Sequence, residues 1–167
     1  MKRLTIALAV ITVAGVAARC GSSNSTPTQP SNLVVYTVPL LPSNEVPAIS
    51  NAENVARGTA VITIHKDTNT IDFAISVNSF PAGSALILSH IHGPNAPAGT
   101  NAGVFVDTGL TAGTAPALVN GAATYSFNGV VPKTGDAIAQ ILANPSQFYF
   151  NVHTAQNGGG VMRGQLQ

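Results

Sequence analysis

Apolar and polar residues alternate in short segments from residue 33 to the end of the chain. The clearest alternation spans residues 70–78, where four apolar residues share one face: Ile71, Phe73, Ile75 and Val77. Successive side chains of a strand point to opposite faces, so this pattern is typical of an antiparallel strand with one buried face. Other segments rich in β-branched and aromatic residues predict strands at 33–41, 59–65, 85–92, 103–110, 122–131, 147–153 and 161–166.

These segments together predict an all-β fold. Short strands separated by Gly, Pro, Asn and Asp are typical of an antiparallel Greek-key β-sandwich or barrel, here of about eight strands. Residues 136–144 are the one helical candidate, which Asp136 would cap and Asn144-Pro145 would end. Because strands 59–65, 70–78 and 85–92 follow one another directly, we expect them to form a meander that places His65 on the same rim as His92.

The N-terminal segment has the character of an export signal. Lys2 and Arg3 precede an apolar run over residues 4–18. That run is shorter than the roughly 20 residues of a transmembrane helix and is typical of a secretory signal peptide. We therefore predict a signal peptide over residues 1–19 and an exported domain over 33–167.

The only cysteine, Cys20, follows this signal directly. Residues 20–32 are a polar low-complexity tether. The arrangement resembles a bacterial lipoprotein, which implies lipidation of Cys20 and a membrane anchor in the periplasm or at the cell surface. Arg19 departs from the small residue that is usual before the lipidated cysteine. The alternative is cleavage after Ala18, which would give a secreted protein.

Charge and motifs exclude several function classes. The formal net charge is +1, but without Lys2, Arg3 and Arg19 four basic residues remain against six acidic ones, a net charge of −2. No basic cluster is present, which argues against nucleic-acid binding. The sequence also lacks a Gly-x-Ser-x-Gly nucleophile elbow, a phosphate-binding loop and a His-Glu-x-x-His motif.

Histidines carry the candidate chemistry. His90 and His92 are alternate residues of the strand at 85–92, so they project to the same face. His153 lies on the strand at 147–153. Imidazole nitrogens bind zinc at about 2.0–2.1 Å and also suit copper. We predict a copper site, or with less support a zinc site, formed by these three residues.

Three other residues are accessory candidates, and the histidines have an alternative interpretation. Asn151 could fix an imidazole tautomer, and His65 ends a strand beside a turn. Arg163 would guide anions, or pair with Asp107 or the C-terminal carboxylate. The alternative is a metal-free interaction or adhesion module with structural histidines, whose edge strands could pair with a partner or a second copy.

Five motifs occur in an order that resembles the CHRD domain. They are Glu45-Val46-Pro47, His90-Ile91-His92-Gly93-Pro94, Gly99-Thr100-Asn101-Ala102-Gly103, Asn151-Val152-His153-Thr154 and Gly160-Val161-Met162-Arg163-Gly164-Gln165-Leu166. The resemblance spans residues 33–167. It implies an extracellular binding module, since the domain is named from chordin, a growth-factor antagonist, and is widespread in bacterial exported proteins.

The histidine pattern is also similar to that of copper–zinc superoxide dismutase. This similarity implies copper bound by His90, His92 and His153, with Arg163 nearby. The sequence departs from that enzyme because residues 93–152 contain no histidine and a disulfide is impossible with one cysteine. What remains is a copper-only site, and dismutase-like activity is the single enzymatic candidate.

Overall fold

The computed structural model describes residues 31–167, in which eight strands form two antiparallel sheets of four strands each. The strands are β1 (Leu33–Leu40), β2 (Arg57–His65), β3 (Thr70–Asn78), β4 (Leu86–His92), β5 (Val104–Asp107), β6 (Ala123–Val130), β7 (Tyr149–Thr154) and β8 (Met162–Gln165). Helix α1 (Ala137–Ala143) precedes β7, and single 3-10 turns occur at Pro42–Asn44, Ala52–Val55 and Pro145–Gln147. The predicted signal peptide, Cys20 and the tether up to residue 30 lie outside the described residues.

The strand order confirms the predicted all-β sandwich. Sheet 1 has the order β1-β2-β3-β6, and sheet 2 has the order β5-β4-β7-β8. After β3 the chain forms β4 and β5 in sheet 2 and returns as β6 beside β3, a Greek-key type of connection. The expected meander is wrong, because β4 pairs with β5 and β7 rather than with β3. His65 and His92 therefore lie on different sheets.

The apolar core lies between the two sheets. The alternation in β3 places Ile71 and Phe73 in this core without solvent exposure. Phe73 meets Phe150 of β7 across the sandwich, with ring centroids 5.8 Å apart. Each such buried side chain stabilises the fold by roughly 1.5–3 kcal/mol relative to an exposed one. The burial of apolar side chains from both sheets thus holds the sheets together.

An irregularity in β4 decides which of its side chains face the core. The pairing of β4 with β7 shifts register between Leu86 and Leu88. Leu86 and Ile91 both belong to the core, whereas His90 and His92 occupy the opposite face of the strand. Simple alternation along 85–92 would place Leu86 on the face of the histidines, but an extra residue in a strand reverses the alternation beyond it.

The strand ends lie within two residues of the predicted ones, except that β5 ends at Asp107 rather than at residue 110. Asn144 follows α1, and Pro145 begins the next turn, as predicted. Asp136 occupies the N-cap position, but its side chain makes no capping hydrogen bond, so the predicted cap is wrong. Within residues 31–167, no helix has the length and apolar character that crossing a membrane would require.

Candidate metal centre

The outer face of sheet 2 carries a layer of polar side chains that is buried beneath loops. Antiparallel register places His90 opposite Asn151, which in turn lies opposite Arg163. The neighbouring row contains His92, Tyr149 and Gln165. His90, His92 and Arg163 are only 6%, 7% and 2% exposed. Sheet 2 therefore separates an apolar core on one side from a polar, water-poor layer on the other.

Three histidines come together in this layer. His90 and His92 project from the same face of β4, and His153 of β7 lies opposite Leu88, diagonal to His90. One nitrogen from each ring lies within 4.8 Å of the others. The closest pair is Nδ1 of His90 and Nε2 of His153, which are 3.3 Å apart. Small rotations of the rings would bring all three nitrogens to about 2.0–2.1 Å from one ion.

Backbone carbonyls orient two of these imidazoles. Nδ1 of His92 donates a hydrogen bond to the Ala102 carbonyl, and Nδ1 of His153 donates to the Gly158 carbonyl, each at 3.0 Å. We assign these tautomers from the hydrogen bonds, because a ring nitrogen facing a carbonyl must carry the proton. Each Nε2 then presents a lone pair to the cluster, the arrangement that metal-binding histidines use.

The Nε2 atom of His92 is the most informative atom of the site. It is buried and has no hydrogen-bond partner among residues 31–167. Buried polar atoms are nearly always paired, and leaving one unpaired costs roughly 1–3 kcal/mol. The unpaired lone pair faces two further imidazoles, so a bound cation would satisfy it.

Burial also keeps the three rings in the neutral form that binds metals. It is the main cause that lowers the pKa of His92 to about 4. The pKa values of His90 and His153 are lowered too, again chiefly by burial. All three imidazoles are therefore neutral at pH 7, which is the form of the ring that binds a metal.

Arg163 lies behind His92 rather than in the open. Its guanidinium carbon is 4.4 Å from the centre of the Tyr149 ring. Tyr149 stacks on His92 with centroids 4.8 Å apart and an interplanar angle of 4°. Arg163 also donates hydrogen bonds to the Asn44 carbonyl at 2.6 Å and to Oδ1 of Asn101 at 2.8 Å. These contacts hold the Arg163 side chain in one position.

The ion pairs expected for Arg163 do not form. The described residues contain two pairs within 4.0 Å, His65–Asp72 and His90–Asp107, and neither includes Arg163. Asp107 instead lies 3.8 Å from Nε2 of His90, where it can help to orient that ring.

His65 is separate from the other three histidines. It ends β2 in sheet 1, and its Nε2 lies 2.8 Å from Oδ2 of Asp72. It does not belong to the group of ring nitrogens around His92. The structure thus gives it no contact with the candidate metal centre.

Glu45 and Asn151 form a second buried group next to the histidines. Oε1 of Glu45 and Oδ1 of Asn151 are both buried without a hydrogen-bond partner. Burial raises the pKa of Glu45 to about 7, against the opposing effects of Arg163 and Asn151. Gly160 permits this packing, because a Cβ atom there would overlap the Asn151 side chain and lie 2.9 Å from Oε1 of Glu45.

Glu53 fixes the loop that orients His153. Oε2 of this fully buried carboxylate accepts hydrogen bonds of 2.6 Å from both Thr154 and Asn157. The loop between β7 and β8 is thereby tied to the turn at Ala52–Val55, and it presents the Gly158 carbonyl to the ring.

Sequence reasoning found the histidines but missed most of what surrounds them. Tyr149 was visible as an aromatic residue two positions before Asn151, on the same face of its strand. The carbonyls of Ala102 and Gly158 leave no signal in the side-chain pattern. Glu45 and Glu53 stood out only as acidic residues in a chain with few of them.

The donor set defines the class of ion. Three neutral imidazoles suit copper, zinc and related transition metals, whereas calcium and magnesium require oxygen ligands. Within residues 31–167 this is the one group of three or more histidine, cysteine or acidic side chains close enough to share an ion.

Comparison with known proteins gives a match to one family. The model of the CHRD domain matches residues 36–166. No curated protein and no solved structure matches the chain.

Proposed function

This chain belongs to the CHRD-domain family, and we propose that it binds one copper ion, or with less support one zinc ion, through His90, His92 and His153. The observation that carries the proposal is the buried, unpaired Nε2 of His92, on a ring that has a nitrogen within 4.8 Å of a nitrogen of each of the other two rings. Many sites for divalent ions contain a carboxylate or a thiolate, and this group has neither. Imidazoles alone are a donor set that copper accepts.

The proposed role is metal capture or redox protection outside the cytoplasm. Support for that location comes from the sequence, namely the charged and apolar segment before Cys20 and the polar tether after it. Lipidation of Cys20 would hold the domain at a membrane in the periplasm or at the cell surface. Replacing Cys20 with Ser should then release the protein from the membrane fraction without changing its metal content.

Titration with copper and zinc tests the metal site directly. The titrated protein should carry Cys20→Ser, because a free thiol would bind copper on its own. We expect one ion per chain by elemental analysis. His92→Ala should weaken binding by at least about 100-fold, since even orienting neighbours of a ligand are worth 10- to 100-fold.

His65→Ala is the matched control, because it removes a histidine that lies away from the group. It should leave both stoichiometry and affinity unchanged. Circular dichroism establishes that each variant is folded. If the folded protein with all four histidines binds neither ion, the metal proposal is wrong, and the metal-free interaction module with structural histidines becomes the better account.

A further inference from the structure

We infer that this site selects copper(I) over copper(II) and zinc, because a neutral ligand set is combined with a buried guanidinium that has no ion-pair partner among the described residues; the inference rests on the proposed metal site. The three imidazoles contribute no negative charge. A divalent ion bound by these ligands would place two uncompensated positive charges in a water-poor layer, whereas a monovalent ion would place only one there. Charge that is buried without compensation is costly, so the lower charge state is favoured.

Arg163 increases this preference. It is 2% exposed, and no carboxylate oxygen of the described residues lies within 4.0 Å of it. It donates its hydrogen bonds to the neutral oxygens of Asn44 and Asn101. The positive charge behind the site is therefore fixed in position and is not part of an ion pair. Every additional positive charge at the histidines is repelled by it.

The distances within the stack of Arg163, Tyr149 and His92 determine how strongly the guanidinium repels a bound cation. The guanidinium lies 4.4 Å from the tyrosine ring, which lies 4.8 Å from the imidazole. A unit charge at roughly 10 Å, with an effective dielectric constant near 20, changes the binding of one further unit charge by about tenfold. Arg163 should thus raise the preference for copper(I) over copper(II) by about that factor.

The nearby acids cancel this charge only in part. The Asp107 side chain is 45% exposed, so water screens it, and it lies on the far side of His90. Glu45 is buried, but burial raises its pKa to about 7, so the carboxyl is only partly charged at neutral pH. Neither acid forms an ion pair with Arg163.

The number of ligands favours the same ion. The group contains three nitrogen donors within the described residues. Copper(I) is stable with three ligands. Zinc sites are almost always four-coordinate, and copper(II) prefers a tetragonal set, so both divalent ions would need another ligand in a layer that the loops close off.

Competition with chelators measures the preference. The Cys20→Ser protein is titrated anaerobically with copper(I) against bathocuproine disulfonate, and separately with copper(II) and zinc against chelators for those ions. We expect copper(I) to bind at least about tenfold more tightly than copper(II). A tenfold ratio raises the copper(II)/copper(I) potential by about 59 mV relative to the aqueous ions. Arg163→Gln should reduce this ratio by about tenfold, and Arg163→Lys should preserve it.

Arg57→Gln is the matched control, since Arg57 is exposed and hydrogen-bonds only to nearby backbone carbonyls. It should leave the ratio unchanged. Equal or tighter binding of copper(II) or zinc by the Cys20→Ser protein would overturn the copper(I) inference alone. A ratio that Arg163→Gln leaves unchanged, in a folded variant, would overturn the role of Arg163. Failure of all three ions to bind would overturn both this inference and the proposed function.

Discussion

At the scale of single residues, burial determines the protonation state of the three histidines. His92 makes one hydrogen bond, to the Ala102 carbonyl, and its other ring nitrogen is enclosed without a partner. Water is excluded from this nitrogen, so protonation is unfavourable, and burial lowers the pKa of the ring to about 4. The same enclosure that prepares the residue to bind an ion makes it sensitive to acid.

We expect the metal-free protein to lose stability through His92 as the pH falls. In the unfolded chain this imidazole takes up a proton near pH 6.5, while in the folded protein it resists protonation down to about pH 4. Between these values the unfolded state binds more protons, so the free energy of unfolding decreases as the pH is lowered. From pH 7 to pH 5 the contribution of His92 should fall by about 2 kcal/mol.

Urea denaturation in the presence of a metal chelator measures this effect by comparison with His92→Asn. Glu45 acts in the opposite direction, because its raised pKa favours the protonated folded state between about pH 4.5 and pH 7. That contribution is present in both proteins, so the difference between their pH profiles isolates His92. Parallel profiles would contradict the prediction.

At the scale of elements, the hairpin of β7 and β8 is the part of the fold on which the site depends most. It supplies His153, Asn151 and Arg163, and its connecting loop presents the Gly158 carbonyl. Gly160 ends this loop with a φ of +130° and leaves room for Asn151 and Glu45. Glu53 ties the same loop to the turn at Ala52–Val55 through Thr154 and Asn157.

Replacing Gly160 with Ala should destabilise the protein by about 1–3 kcal/mol, since the backbone is strained for other residues and the new methyl group meets Asn151. Displacement of Asn151 should also weaken metal binding. Gly159→Ala is the control in the same loop, because a Cβ there meets nothing within 4 Å, and its cost should stay within about 0.5 kcal/mol. Urea midpoints that are equal for the two variants would show that the loop adapts to a methyl group.

The sequence predicted the elements better than their arrangement. Each strand was recognisable, because alternation and turn residues are local signals, and β3 matched at both ends. Pairing partners depend on contacts between distant residues, so the place of β4 in sheet 2 and its register shift at Leu86 left no local sign. The spacing of His90 and His92 showed that they share a face. The sequence also grouped His153 with them, as the structure does, whereas the loop carbonyls that orient the rings followed only from the three-dimensional structure.

At the scale of the whole molecule, the ligands meet only when sheet 2 is complete. His90 and His153 are 63 residues apart and lie on different strands, so the unfolded chain does not hold them together. An ion that binds the folded state alone stabilises it by mass action. The apolar core is separate from the site, so the metal-free protein should still fold.

Saturating copper(I) should therefore raise the thermal midpoint. A concentration 100-fold above the dissociation constant adds about 2.7 kcal/mol to the free energy of unfolding. For a domain of this size that corresponds to roughly 10 °C. Thermal scans of the Cys20→Ser protein with and without the ion provide the measurement. His90→Ala should show no shift, and a shift in that variant would indicate binding elsewhere.

Sheet 2 separates two layers of side chains that have different roles. The layer that faces sheet 1 is the apolar core, which maintains the shape of the molecule. The outer layer is covered by segments near residues 44–53, 101–102 and 157–160, which approach it from separate parts of the chain. Because the main-chain oxygens of Ala102 and Gly158 orient the rings, the side chains at these two positions are free to vary. Substitutions there can thus change which molecules reach the candidate metal centre while the architecture beneath stays the same.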